Sequence, residues 1–542
     1  MEDNIRNVTD VLERLEVKKN SKAMLMFVDA ETAFDNIYWS FMKENLALSP
    51  FLLLVIALVS PNHAEDHEEW MKCFDDPDYE KLLNVARNGL GKTSNPKTIV
   101  IVGAGISGLT AAKLLKDAGH QVQILEASDR IGGRIKTYRE KDWYMDLGPM
   151  RLPKQQKIVR EYIKKFNLTL NPFVQTDKNA WYLIRNRKEK VSAVEKNAEL
   201  FGYELAPNER GKSASQLFHE SLDRVTKNCT ILKKKYDSYS IKEYLIKEGN
   251  LSKGAVDMIG DLLNEEGGFY TSFLDSAMDY VTFYDDDSFE EITGGFDQLP
   301  KGFSREMTGT IRLSCSVEKI LRTGKKVRVF YRKRGKGTLS SLTADYVIIT
   351  ATAKAARLIK YQPLLSHPKA RALRSFHYAS STKIALACTD RFWEKDGIRG
   401  GKSITDRPSR MIYYPNHVFP SGLGVLLASY TFNDDADFFV PLSEEKCVDV
   451  VMDDLSEIHN VSKSYLKSVC NRHVVQKWAL DKFSMGAFAL PTPYQFSQLF
   501  EALSQNEGRV YFAGEYTAHP HAWIDTAMKT AIRAASGIHL SA

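Results

Sequence analysis

At 542 residues, with 43% hydrophobic and 11% aromatic content, the chain is globular and long enough for two or three domains. Its net charge of +6 is small for that length, and its basic residues occur only in short runs such as Lys233-Lys234-Lys235, which excludes a nucleic-acid-binding footprint. Six widely spaced cysteines with no C-x-x-C pair point away from zinc and redox-dithiol chemistry, and no metal is expected.

The first 45 residues stand apart from the rest. Met24-Leu25-Met26-Phe27-Val28-Asp29, continuing to Phe34-Asp35 and Trp39, resembles the first aspartate motif of retrotransposon reverse transcriptases, where a strand-end aspartate, Asp29 here, helps hold a catalytic Mg²⁺. No second aspartate motif follows, so residues 1–45 read as a fused extension or gene-prediction artefact without polymerase activity. Residues 46–64 read as a signal peptide: the apolar run Pro50 to Val59 is too short to span a bilayer, and small residues lead to a cleavage point after Ala64. A secreted protein without a transmembrane anchor is expected, with a lysosomal destination as the alternative. Sequons at Asn167, Asn228, Asn250 and Asn460 fit that route. An oxidising compartment permits disulfides, and spacing alone leaves their pairing open.

Residues 65–96, with Trp70, Cys73 and a helical pattern from Tyr79 to Gly89, are taken as the N-terminal segment of a substrate domain. Residues 97–135 carry the densest signal. The apolar strand Thr98 to Val102 runs into Gly103-Ala104-Gly105-Ile106-Ser107-Gly108, whose glycines suit a tight turn, close approach to a pyrophosphate and helix-on-strand packing. A helix from Leu109 to Ala118 and a second strand, Gln121 to Leu125, then place Glu126 where an acidic side chain meets ribose hydroxyls. Arg130-Ile131-Gly132-Gly133-Arg134 adds a second glycine turn that resembles the flavoprotein amine-oxidase extension of this fingerprint and selects FAD over NAD.

The remaining segments alternate in character. Residues 136–190 form a polar and aromatic part of the substrate domain with a strand at Ala180 to Ile184, and residues 191–289 turn helical, with helix starts read at Ser215 and Ser240. Residues 290–375, with strands at Val327 to Phe330 and Tyr346 to Thr350, are the second part of the cofactor domain. Residues 376–500 return to the substrate domain through Lys383 to Ala387 and Val425 to Ala428; residues 501–542 close the cofactor domain with a strand at Arg509 to Ala513 and a helix from about Trp523. The order predicts an α/β protein: a discontinuous Rossmann-like FAD-binding domain with an inserted mixed-sheet substrate domain and a helical domain.

Gly148-Pro149-Met150-Arg151-Leu152-Pro153, with Gly103 to Gly108 and Gly514-Glu515-Tyr516-Thr517-Ala518-His519, resembles the secreted vertebrate L-amino-acid oxidases, the group that includes the snake-venom enzymes. The resemblance runs from Trp70 to Ala542. It implies an FAD-dependent homodimer or higher homo-oligomer that oxidises hydrophobic or aromatic L-amino acids with O₂ to 2-oxo acids, ammonia and hydrogen peroxide, the peroxide giving antimicrobial and cytotoxic action. It places FAD against Gly103, Gly105, Ile106, Ser107, Gly108, Glu126, Ala127, Arg134, Gly148, Pro149, Met150, Arg151, Val317 and Glu515, and against the backbone of Ala522, Trp523, Ile524, Asp525, Thr526 and Ala527. A substrate carboxylate needs a planar, permanently charged bidentate donor, and the resemblance assigns it Arg151, assisted by Tyr430, with Ser429 as the neighbouring alternative. Trp523 and Ala522 match the pocket wall, Ala522 standing where a glycine is common, and Lys383 matches a lysine that orders a water for the reaction with O₂. Asp279 stands where the venom enzymes carry a histidine proposed to deprotonate the substrate amine, a role a carboxylate fills only if burial raises its pKa toward neutrality. The resemblance also pairs Cys73 with Cys229 and Cys388 with Cys470, leaving Cys315 and Cys447 free. The competing readings are a polyamine or monoamine oxidase, which has no substrate carboxylate to hold, and a secreted flavoprotein without turnover.

Overall fold

The computed structural model describes residues 72–283 and 288–541, so the extension, the signal-like segment and Trp70 lie outside the described residues. Strand β1 (Thr98–Val102) is an uninterrupted apolar run after its first residue, as suits a strand covered on both faces. Its side chains alternate between two cores. Ile99 and Ile101 pack with Leu109, Leu115 and Met528, whereas Val100 and Val102 join Ile320, Val329 and Phe512. Helix α1 (Ile106–Asp117) follows, and β2 (Gln121–Leu125) returns parallel to β1 with Leu125 beside Val102. The helix starts at Ile106 and not at Leu109, because Gly105 is itself the N-cap and the glycine turn feeds into the first turn directly.

Three further parallel strands complete this sheet, in the order Val510–Phe512, Tyr346–Ile349, β1, β2, Ile311–Arg312. The sheet therefore draws on three well-separated stretches of chain, and the discontinuous Rossmann-like architecture is the one observed. Helix α1 and the last helix, Ile524–Leu540, cover one face. The other face packs on a four-stranded sheet built from Cys315–Thr323, Lys326–Lys333, Leu339–Ala344 and Lys360–Gln362.

A second, seven-stranded mixed sheet runs Arg472–Lys477, Ser381–Cys388, Gly424–Phe432, Met411–Tyr413, Lys402–Thr405, Trp181–Ile184, Arg187–Lys190. Every residue of Ser381–Cys388 is buried, Lys383 included, because helix Glu444–His459 backs one face and a cluster around Trp143 and Met145 covers the other. A group of helices with a core of its own includes Ala214–Leu222, Ile241–Lys247, Lys253–Leu262 and, last, Phe273–Phe283 (α2). Ser240 caps its helix through a reciprocal bond with Glu243, as read from the sequence, but helix Ala214–Leu222 is capped by Ser213, not Ser215: Ser213 has Gln216 three residues on to complete the capping box, and Ser215 falls inside the first turn. Cys73–Cys229 and Cys388–Cys470 are the disulfides, while Cys315 and Cys447 are buried thiols. Among the described residues no helix is long and apolar enough to cross a membrane.

Gly108 fixes the angle at which α1 leaves β1, since a Cβ there would lie 2.0 Å from the carbonyl oxygen of Gly103. Gly108→Ala is expected to lower stability by about 1–3 kcal/mol through overpacking and to lower the fraction of protein purified with cofactor, read as Tm and as visible flavin absorbance per chain.

Candidate active site

A cavity of about 570 Å³ opens at the carboxyl ends of β1, β2, Tyr346–Ile349 and Val510–Phe512, where doubly wound sheets place their ligands. It continues from there to Lys383 and Tyr430 on the second sheet and to Glu265, Asp275 and Asp279 in the helical region.

The end nearest β1 is shaped by glycines. Gly103 has φ +112°, and a Cβ on it would lie 2.8 Å from Thr350 Oγ1; the Cβ side of Gly105 is open for 4 Å. Gly133 closes the second turn against Gly105, whose Cα a Cβ on Gly133 would approach to 3.3 Å. Beside them the buried Ser107 hydroxyl has no hydrogen-bond partner. An orphaned hydroxyl and unpaired amides at a helix N-terminus facing an open cradle fit the pyrophosphate of FAD. Glu126, buried at the end of β2, accepts the Ala104 amide at 2.7 Å and the Ser128 amide at 2.8 Å, which fixes its carboxylate while leaving lone pairs for ribose hydroxyls. Ala127 and Val317 line the same end.

Gly148, Pro149 and Met150 lead along the cavity to Arg151. Arg134 Nη1 donates to Glu515 Oε1 at 2.7 Å and to the Ala487 carbonyl at 3.1 Å. Glu515 also accepts the Ala489 amide, at 3.2 Å, and the Ala522 amide, at 3.0 Å. Ala522 sits at φ +69°, a left-handed conformation that a residue with a Cβ adopts at a cost of roughly 1–2 kcal/mol, which accounts for glycine being the easier residue there. Ala522, Trp523, Ile524 and Ala527 line the cavity together with Ile106. Three expected cofactor contacts are not on its wall. Gly108 is packed behind the glycine turn, the Asp525 carboxylate is turned away to accept Tyr79 Oη at 2.8 Å and the Val159 amide at 3.0 Å, and the Thr526 hydroxyl donates to the Pro520 carbonyl at 2.6 Å.

At the far end Arg151 Nη1 donates to Gln175 Oε1 at 2.8 Å and to Tyr413 Oη at 3.2 Å, and its guanidinium carbon stands 5.1 Å from the centre of the Phe289 ring. Tyr430 lines the cavity, whereas Ser429 points to the opposite face of the strand and donates to the Ser409 carbonyl, so strand alternation selects the tyrosine. Lys383 lies directly across the ladder from Tyr430; its ammonium is 4.7 Å from that ring and donates to the Gly148 carbonyl at 2.7 Å and the Asp146 carbonyl at 3.3 Å. Burial pushes the Lys383 pKa down and that of Asp146 up, the two groups offsetting one another in part. Asp279, on α2, accepts Trp523 Nε1 at 2.5 Å. Its carboxyl is open to the cavity but shielded from bulk water, and burial pushes its pKa up to about 7 against the pull of the Trp523 bond and of Arg151.

Sequence reasoning missed five contributors. Gln175 and Tyr413 hold Arg151; Glu265 shares the cavity with Asp279, its pKa pushed up to about 7 by burial and by the charge on Asp279; and His521 and Asp275, both on the cavity wall, meet at 2.6 Å between Nδ1 and Oδ1. Tyr413, Glu265 and Gln175 carry no local signal that separates a site residue from an ordinary one.

Comparison with known proteins agrees with this arrangement. The family described as flavin-containing amine oxidoreductase matches residues 106–539. An L-amino-acid oxidase of Pseudechis australis is 51% identical over 498 residues, covering 91% of this chain and 96% of the relative, and one of Protobothrops flavoviridis is 52% identical over 502 residues, covering 91% and 99%. In fold the chain resembles wild-type putrescine oxidase bound to putrescine, with TM-score 0.66, 19% identity and coverage of 82% of this chain and 99% of that one. It likewise resembles cyclohexylamine oxidase from Brevibacterium oxydans IH-35A, with TM-score 0.64, 18% identity and coverage of 82% and 98%.

Proposed function

Because this chain belongs to the flavin-containing amine oxidoreductases and is an FAD-dependent L-amino-acid oxidase, we propose that it converts L-amino acids, O₂ and water to 2-oxo acids, ammonia and hydrogen peroxide, acting on side chains that suit a largely aromatic wall. The observation that carries this reading is Arg151, a cation on the cavity wall whose plane is fixed by Gln175, Tyr413 and Phe289. A cavity for simple amines has no use for such a group; a substrate carboxylate does.

In this reading Arg151 and Tyr430 take the substrate carboxylate, and Trp523 with Ala522 limits the space beside the α-carbon. The proton on the substrate amine must leave before the nitrogen lone pair can assist hydride departure. Asp279, oriented by Trp523 Nε1, accepts it, because a carboxyl with its pKa near 7 is about half ionised at neutral pH and basic enough to hold a proton. Lys383, fixed on the Gly148 carbonyl, holds a water and stabilises charge developing on O₂. Bound FAD supplies the acceptor for the hydride and the route by which its two electrons reach O₂. Secretion, glycosylation at the exposed Asn167, Asn228, Asn250 and Asn460, homo-oligomer assembly and peroxide-based antimicrobial action are part of the same proposal; nothing favours a lysosomal destination.

The test is peroxide release by recombinant protein starting near Glu65, assayed with L-Leu, L-Phe, D-Leu and spermine. The L-amino acids are expected to react and the other two to lag far behind; preference for spermine or D-Leu refutes the proposal. Arg151→Lys and Arg151→Ala are expected to keep flavin absorbance but to lower kcat/KM by roughly one to three powers of ten, a loss of about 2–5 kcal/mol for a buried charged contact, with lysine recovering part. Normal kcat/KM in both variants makes Arg151 structural.

The raised pKa of Asp279 gives a pH dependence of known sign. The base is the ionised carboxylate, so kcat/KM is expected to rise as pH increases through about 7. Asp279→Asn should remove that rise and cost roughly 10²–10⁴-fold above it. An unchanged profile in the variant assigns proton removal to solvent.

A further inference from the structure

We propose that Glu265, backed by Asp279, forms a recognition subsite for a cationic substrate side chain, so that the favoured substrates are L-amino acids with an ammonium at the end of a flexible apolar stem, the lysine and ornithine class. The inference rests on the oxidase reading of the same cavity and names its substrate.

Glu265 follows the helix Lys253–Leu262 and precedes the short turn Glu266–Gly268, so its side chain belongs to the irregular backbone between two elements. It lines the cavity, and among the described residues its carboxylate has neither a hydrogen-bond nor an ion-pair partner. Asp279 lines the same cavity and accepts a bond from Trp523, a neutral donor. The cations of the neighbourhood are already engaged: Arg151 with Gln175 and Tyr413, His521 with Asp275, Lys383 with the Gly148 carbonyl.

Two shielded carboxyls within electrostatic reach of one another are mutually destabilising unless a cation joins them. Among the described residues neither ties two elements of the fold together by an ion pair, and Glu265 makes no side-chain hydrogen bond that would give it a structural role. A ligand ammonium accounts for both, because it can donate charge-assisted bonds to Glu265 while relieving the repulsion with Asp279. The rest of the wall suits the stem that would carry it: Tyr430, Phe432 and Trp523 offer apolar area for methylene groups and ring faces for the cation. Arg151 and Glu265 thus supply opposite charges to opposite ends of one zwitterionic substrate.

The experiment compares L-lysine with L-norleucine, which shares the stem and lacks the ammonium, in flavin-loaded wild-type protein and in Glu265→Gln. Lysine is expected to be favoured in kcat/KM by about tenfold or more, and the isosteric variant is expected to cut that ratio by about tenfold or more. Flavin absorbance and Tm establish that the variant folds. A second measurement needs no variant: 6-aminohexanoate should inhibit wild type about tenfold more tightly than hexanoate. Oxidation of norleucine with no advantage for lysine, an unchanged ratio in Glu265→Gln, or equal inhibition by the two acids overturns the subsite and leaves the oxidase reading standing. No oxidation of any L-amino acid by flavin-loaded protein overturns both.

Discussion

One buried carboxylate holds the parts of the site in register. Glu515 receives a guanidinium N–H from Arg134 in the second glycine turn, an amide from Ala489 beside the second sheet, and an amide from Ala522 on the pocket wall. The anion is shielded from water, and charge-assisted bonds to a shielded anion are short and directional. They also make removal of any one partner expensive, because the charge would be left buried and under-satisfied. Cofactor cradle and substrate wall are therefore positioned by the same group, and a shift in one segment is felt by the others.

The charge layout of the cavity follows from where each group sits in the fold. Lys383 is carried on a strand buried along its whole length and finds only carbonyls and the Met150 thioether to donate to, a setting that weakens its hold on its proton. Arg151 keeps its charge whatever its surroundings, and Gln175 and Tyr413 orient it. The acids come from the helical region, where α2 and the loop after Leu262 face the sheets. Cations from the sheet domains and acids from the helical region meet across a space shaped by aromatic rings, a distribution suited to a dipolar molecule with an apolar middle.

The cofactor half was legible in the chain because it is local. Thr98 to Glu126 is one contiguous βαβ unit whose glycines, apolar runs and terminal acid each have a backbone reason to be where they are. The parallel partners of that unit were legible as apolar runs, and their assembly into one sheet followed from the order of segments. The substrate half is non-local: Arg151, Asp279, Lys383, Tyr430 and Trp523 became readable only through family resemblance, and Glu265, Gln175 and Tyr413 escaped because a loop acid, a glutamine and a strand tyrosine look the same in sequence whether they face a ligand or water. Local chemistry also misled on a small scale. Ser215 has the right side chain for a helix start, but Ser213 has the right side chain and the right residue three positions later.

The sheet that carries the cofactor cradle takes one strand, Val510–Phe512, from nearly the end of the chain, and its covering helix, Ile524–Leu540, comes later still. During synthesis β1 and β2 emerge early, yet the edge strand of their sheet and the helix that seals Ile99 and Ile101 arrive only after hundreds of further residues. An apolar parallel sheet thus waits, incomplete and with an open edge, for most of translation, which makes the nascent chain a client for chaperones and a target for aggregation. A chain cut short before Val510 could possess every glycine of the fingerprint and still fail to close the fold that gives those glycines their purpose.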